Sequence, residues 1–129
     1  MKNSENTRCC TQIAINAVDL FCGAGGLTCG LQKAGIRVKA GVDSDPACEY
    51  AFSANNDAEF IGKSVEDLSP AETLVKLNGS EYTLLCGCAP CQTFSSINQK
   101  ASREDSRWGL LLQFGRLVKE CEPDFVAME

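Results

Sequence analysis

The sequence predicts an α/β fold built on a doubly wound, mostly parallel sheet. Three observations carry that prediction. Apolar, β-branched runs alternate along the chain with stretches of helical spacing, the order expected of parallel strands and their crossover helices. A glycine cluster, Gly23-Ala-Gly-Gly26, follows the first apolar run and opens the first helical stretch. The residues best suited to chemistry, Asp43, Cys91 and Glu129, fall at or just past the ends of predicted strands, the edge where open α/β sheets bind ligands.

Each element has its own local reason. Residues 13–21 are apolar and partly β-branched and predict a central strand. Residues 22–26 form a tight loop, and residues 27–34 a helix with Gly35 as its C-terminal stop. Glycines let the backbone approach a ligand, and a helix N-terminus presents free N–H groups; a plain tight turn is the other meaning of the same cluster. A dinucleotide fingerprint would place a third glycine or alanine where Thr28 stands, so the loop fits an NAD site poorly. Residues 36–43 predict the second strand. It ends in Asp43, 20 residues past Gly23, the spacing at which an acid can accept hydrogen bonds from a ribose.

Asp45 and Pro46 predict the N-cap and first turn of the next helix, with Ala47, Tyr50, Ala51 and Ala54 on its apolar face. Residues 59–61 are a short third strand. Ser69-Pro-Ala-Glu72 is a capping box with proline at the first helical position, opening a helix that runs to Leu77 and stops at Asn78-Gly79. Residues 82–87 predict the fourth strand. Residues 92–106 are polar and predict a long surface loop of the kind that serves as a lid or binding loop. Residues 108–121 have helical spacing, with Trp108 at the start, and residues 123–128 predict a fifth strand.

The 129 residues suffice for one domain with a sizeable core. Residues 1–12 are predicted as a flexible tail and residues 13–129 as the domain. No apolar run approaches the ~20 residues of a membrane helix, and the polar N-terminus is no secretory signal. The nine cysteines are odd in number and scattered, which argues against a secreted disulfide framework and for a reducing compartment. A net charge of −5 opposes strong nucleic-acid binding by this chain alone, because phosphate contacts need lysine and arginine. Acids dominate residues 40–82, whereas Lys100, Arg103, Arg107, Arg116 and Lys119 make residues 96–119 basic.

Cys86-Gly-Cys-Ala-Pro-Cys91 admits three meanings. Three cysteines could ligate zinc or an iron–sulfur cluster, but a closed site needs about four ligands and the chain has no histidine. Cys88-Ala-Pro-Cys91 has the spacing of a redox pair, although the sequence after it opens a helix poorly. Alternatively Cys91 is a lone nucleophile, with Cys86 and Cys88 as small core residues. Cys22, Cys29, Cys48 and Cys121 are expected to be buried and inert.

Asp19-Leu-Phe-Cys-Gly-Ala-Gly-Gly26, then Pro90-Cys-Gln-Thr-Phe-Ser95, Glu104-Asp-Ser-Arg107 and a terminal Val126-Ala-Met-Glu129 resemble the cytosine-C5 DNA methyltransferases. Order and spacing match from about residue 16 onward, with about 65 residues between the glycine loop and the proline-cysteine pair. The resemblance implies a Rossmann-like fold that uses S-adenosylmethionine. It implies Phe21, Gly23, Gly25 and Leu27 along the cofactor, Asp43 on the ribose, Ser44 by the adenine, and Pro90 and Leu110 close to the cofactor. The family carries an acid near position 64 for the adenine amino group; here Ser64-Val65 stands there, with Lys63 beside it.

The resemblance further implies that Cys91 is the nucleophile that adds to C6 of a flipped cytosine and that Glu129 holds the base's N3/N4 edge. Gln92, Ser95 and Arg107 would close over double-stranded DNA; Arg107 could equally pair with Glu104 or Asp105. No metal is implied. Family members continue well past this length, so the chain resembles an N-terminal fragment, short of the target-recognition region and inactive alone, with a C-terminal half as its missing partner. A non-catalytic module that keeps cofactor or partner affinity is the alternative, and a thiol-redox or metal protein a further one. The family works inside the cell, in the cytoplasm of a bacterium or the nucleus of a eukaryote, and no membrane contact is expected.

Overall fold

A computed structural model describes residues 12–90 and 106–129, with the backbone alone at 106 and 107. Residues 1–11 of the predicted tail, Cys91 as the expected nucleophile, Gln92 and Ser95 as expected DNA contacts, and the side chain of Arg107 lie outside the described residues.

Nine elements alternate as expected: β1 (Ile15–Leu20), α1 (Gly26–Lys33), β2 (Arg37–Asp43), α2 (Cys48–Asn55), β3 (Glu59–Gly62), α3 (Pro70–Leu77), β4 (Tyr82–Gly87), α4 (Ser106–Cys121) and β5 (Phe125–Met128). The strands form one sheet in the order β3-β2-β1-β4-β5, and every pairing is parallel. The chain therefore winds outward from β1 to one side through β2 and β3, then returns to the other side of β1 through β4 and β5. The winding reverses between β1 and β4. At such a reversal the strands' C-terminal ends form the edge where open α/β sheets bind ligands.

β1 earns its central place by being apolar on both faces, as a parallel strand covered on both sides must be; five of its six residues are buried. Val18, Leu20, Val42 and Leu85 point to one face, where Leu77, Phe114 and Leu117 of α3 and α4 cover them. Ala17, Val38, Leu84 and Cys86 point to the other, against Leu27 and Leu31 of α1.

The capping signals are realised with small shifts. Ser69 and Glu72 form the reciprocal capping box, with Pro70 in the first turn. Ala34 is the C-cap of α1 and Gly35 follows it with φ 88°. Gly35 N donates to Gln32 O and Ile36 N to Leu31 O, both at 3.0 Å, which is the Schellman arrangement.

The second helix departs from expectation. Asp45 Oδ1 accepts from Ala47 N at 2.9 Å and Asp45 O from Cys48 N at 3.1 Å, so Asp45 closes an Asx turn and α2 begins only at Cys48. The buried face of the helix also differs from the expected one. Phe52, fully buried, becomes its anchor, while Tyr50 is 84% exposed and Ala47 and Ala54 face solvent. Arg116, one of the basic residues of the 96–119 stretch, is tied into the fold. Its guanidinium donates to Val65 O at 3.3 Å and Leu68 O at 3.0 Å, tying α4 to the segment between β3 and α3.

Candidate active site

Register places the predicted residues on one rim. Leu20 is opposite Val42 on one side and Gly87 on the other, and Gly87 is opposite Met128. The next residue of each strand is therefore Phe21, Asp43, Cys88 or Glu129. Glu129 N donates to Gly87 O at 3.1 Å, so the β4–β5 ladder continues to Glu129 itself.

The turn after β1 is tightly bent. Phe21 has φ 58°, Gly23 φ 52° and Gly25 φ 91°, three left-handed residues in five. A bulky residue in this region is uncommon, and the strain at Phe21 is held by Cys22 N donating to Val42 O at 3.1 Å and by packing of the ring on the core. The two glycines differ in surroundings. A Cβ at Gly25 would lie 2.2 Å from Asn56 Nδ2 and 2.8 Å from the Phe52 ring, whereas one at Gly23 would meet nothing within 4 Å. Gly25 lets α2 close against the turn. Gly23 leaves free space at the rim, the kind of backbone cradle a cofactor can enter.

Asp43 fixes that cradle. Its Oδ2 accepts from Gly23 N and its Oδ1 from Asp45 N, both at 2.9 Å. Each carboxylate oxygen keeps a further lone pair, so a ribose hydroxyl can still donate to it. No side chain caps α1, and the Thr28 backbone in its first turn donates to the Asp19 carboxylate.

Other expected contacts are placed less directly. Ser44 is exposed; Ser64, Pro90 and Leu110 are half-buried. Val65 is 2% exposed within the core, so its side chain cannot line a ligand surface and only the neighbouring Ser64 can. The Leu27 side chain packs into the α1-facing core, which leaves its backbone as the part able to meet a cofactor.

The cysteine cluster splits along the strand. Cys86 is buried, its Sγ donating to Val18 O at 3.4 Å, and burial pushes its thiol up to about 12. Cys86 is thus held protonated within the core rather than presented at the rim. Cys88 is exposed past the strand end, not the core residue expected. Among the described residues no group of three metal-ligating side chains exists. The inert set is also mixed: Cys22 and Cys121 are buried, Cys29 and Cys48 only half-buried.

Asp19 and Thr28 were not singled out by sequence reasoning as site residues. Both are fully buried, and Thr28 Oγ1 donates to Asp19 Oδ2 at 2.7 Å. Thr28 stands at the third fingerprint position because it reaches back beneath the turn to this acid. Desolvation, reinforced by Asp43 and Glu129, raises the Asp19 carboxyl to about 6 against the lowering hydrogen bonds from Thr28. The available signal was an acid inside an otherwise apolar strand, nine residues before a threonine in the following helix.

Comparison with known proteins matches this geometry to one family. The family model described as C-5 cytosine-specific DNA methylase matches residues 15–129. The chain is 46% identical over 112 residues to Type II methylase M.HgiDII of Herpetosiphon aurantiacus, covering 87% of this chain and 31% of that protein. It is 33% identical over 115 residues to Type II methyltransferase M.AquIA of a Picosynechococcus strain, covering 87% and 46% respectively. A crystal structure described as a DNA modification methyltransferase encoded within an E. coli prophage superposes with a TM-score of 0.68 at 29% identity, over 88% of this chain and 31% of that one. The S. pombe Dnmt2 methyltransferase, at 14% identity, shares the fold with a TM-score of 0.62 over 88% of this chain and 33% of that one. The chain thus spans less than half the length of each of these proteins.

Proposed function

We propose, from the premise that the chain belongs to the C-5 cytosine-specific DNA methylases, that it forms the cofactor-side part of an enzyme methylating cytosine C5 in DNA. The observation that carries this reading is the convergence of the Gly23 turn, Asp43 and Glu129 on one rim of the sheet, at the point where its winding reverses. S-adenosylmethionine is the cofactor whose chemistry fits. The open space at Gly23 accepts it, Asp43 offers acceptors to a ribose, and the acidic rim favours a cation over an anionic dinucleotide. When bound, it supplies an electrophilic methyl group.

The protein's residues do the rest. C5 of cytosine is a weak nucleophile, and addition of the Cys91 thiolate to C6 makes it enamine-like. Glu129 hydrogen-bonds the N3/N4 edge and favours that addition. After methylation, loss of the C5 proton and expulsion of the Cys91 thiolate restore the ring. This chemistry needs the base outside the duplex, with Gln92, Ser95 and Arg107 as the contacts that cover it. Phe21, Ser44, Ser64 and Leu110 would border the adenosyl group, with the Pro90 ring beside it. DNA is the partner of the whole enzyme, and the polypeptide matching the rest of the relatives is its second part. In a bacterium such an enzyme would work in the cytoplasm.

The test is covalent trapping on a duplex containing 5-fluorocytosine, with the chain supplied together with the remaining part of the M.HgiDII relative. A trapped adduct that Cys91→Ser abolishes and Cys88→Ala spares supports the assignment. An adduct that survives Cys91→Ser overturns it.

A further inference from the structure

The segment between β3 and α3 carries Ser64, and side chains from outside the segment hold it. Both of its ends meet one carboxylate: Lys63 Nζ pairs with Glu72 Oε1, and Ser69 N donates to Glu72 Oε2 at 3.1 Å. Within it, Asp67 N donates to Ser64 O at 3.0 Å and Glu66 N to Ser64 Oγ at 3.3 Å. These two bonds shape a turn over residues 64–67, but they do not fix where the turn sits relative to the rest of the fold. Arg116 supplies that fixing. Its Nη2 donates to Val65 O at 3.3 Å and to Leu68 O at 3.0 Å, so one nitrogen spans the turn.

The guanidinium is itself steadied from α4. Its Nε donates to Gln113 Oε1 at 2.6 Å and its Nη1 to Glu120 Oε2 at 3.3 Å. Because the group is planar, holding two nitrogens aims the third. The same helix carries Leu110, six residues before Arg116. The segment and the start of α4 also come close together: a Cβ on Gly109 would lie 3.7 Å from Glu66 Oε1. Ser64 and Leu110 are thus two flanks, on different elements, that one side chain ties together.

We infer, on the footing of the proposed cofactor site, that Arg116 is a positioning residue for the methyl donor: it sets the spacing between Ser64 and Leu110 that receives the adenosyl group. It touches neither cofactor nor base. Its contribution is to remove the freedom the two flanks would otherwise lose on binding. A lysine offers a point charge without the planar fork, so it cannot hold Gln113, Glu120 and both carbonyls at once. Val65 and Leu68 share a core cluster with Phe114 and Leu117 of α4, so the apolar contact between the two elements survives in Arg116→Lys. What that variant loses is placement.

Isothermal titration with S-adenosylhomocysteine and with 5′-methylthioadenosine, which keeps the adenosyl group and lacks the amino acid, reads this directly. The protein is the chain combined with the remaining part of the M.HgiDII relative, and a urea midpoint confirms that each variant is folded. Arg116→Lys should weaken both ligands by the same factor, about tenfold, and amide exchange at Glu66 and Asp67 should quicken. In turnover the KM for the methyl donor should rise by that factor with kcat kept. Glu120→Gln, which removes only the exposed ion pair, should leave affinity unchanged. Should Arg116→Lys fold poorly, Gln113→Ala frees Nε alone and should weaken both ligands about two- to threefold. A lowered urea midpoint with unchanged affinity for both ligands, or a loss confined to kcat, overturns the inference and leaves the cofactor site standing. Absence of S-adenosylhomocysteine binding by the unaltered protein overturns the cofactor site, and the inference with it.

Discussion

Gly23 and Gly25 occupy the same turn two residues apart, and the space around each sets what a methyl group there would do. At Gly25 it would drive into Asn56 and Phe52 at 2.2 and 2.8 Å with φ at 91°. Left-handed strain and overpacking add, so Gly25→Ala should cost about 3 kcal/mol or more. At Gly23 nothing lies within 4 Å, so Gly23→Ala should cost only about 1–2 kcal/mol of strain while filling the cradle and weakening cofactor binding. Urea denaturation and titration calorimetry on the two variants separate these effects; equal midpoints would refute the distinction. Asp19 sets a pH dependence of a definite sign. Its folded-state pKa of about 6 lies above the ordinary value of 3.8, so its ionised form opposes folding, and that penalty is fully present above pH 6. The penalty lifts as pH falls from about 6 toward 4, a change of order 3 kcal/mol at most. Glu72 has the opposite sign: Lys63 and Ser69 lower it to about 2 from 4.5, so its stabilisation is present above pH 4.5 and lost as pH falls toward 2. Stability should therefore rise slightly from pH 7 to pH 5 and fall at stronger acid. Asp19→Asn should remove the rise, as thermal melts across pH would record. The rim positions of Asp43 and Glu129 were legible from strand ends, because register follows strand ends in a parallel sheet, whereas Phe21 entered only through the family resemblance. Asp19 was not, because a polar residue inside a strand does not announce whether it is partnered.

At the scale of elements, the capping chemistry was legible wherever it was local. The Ser69–Glu72 box and Gly35 each satisfy backbone groups within a few residues of themselves, so sequence alone determines them. The α2 helix shows where that stops. Asp45 has the chemistry of an N-cap, yet it spends its side chain on Ala47 N, two residues on. An Asx turn and a helix cap use the same donor-acceptor pair in different backbone shapes, and the sequence does not choose between them. The consequence for packing is large. Phe52 is fully buried, its ring 5.7 Å from that of Phe60 and against Gly41, while Tyr50 stands 84% exposed. Phe52→Ala should destabilise by about 3–5 kcal/mol, and Tyr50→Ala by no more than about 0.5 kcal/mol. Paired thermal melts test this. The reverse ranking would restore the face expected from sequence and move the start of α2 back toward Asp45.

For the whole molecule, the parallel, doubly wound sheet was legible because strands alternate with crossover helices and such connections keep one hand. What the crevice faces beyond β5 was not legible, because it depends on surfaces rather than on patterns. β5 is exposed at all four residues, with Phe125, Val126 and Met128 at 50%, 47% and 45%. Apolar side chains at a sheet edge are normally covered, and the relatives carry more than half their length outside the matched region. Charge points the same way. The chain carries −5 overall, and Arg116 is committed to carbonyls inside the fold, so a phosphate backbone finds little to neutralise it. Non-specific DNA binding in the usual range of about 1–100 μM at physiological salt draws on several lysine or arginine contacts. The chain alone should therefore show no anisotropy change with a fluorescent duplex up to about 100 μM at that salt, and no methyl transfer from labelled cofactor. Both should appear together when the remaining part of the M.HgiDII relative is added. Micromolar DNA binding by this chain in isolation would mean that the basic residues around Arg103 and Arg107 suffice to hold a duplex against the acidic sheet rim, and that the division of labour between the two parts is wrong.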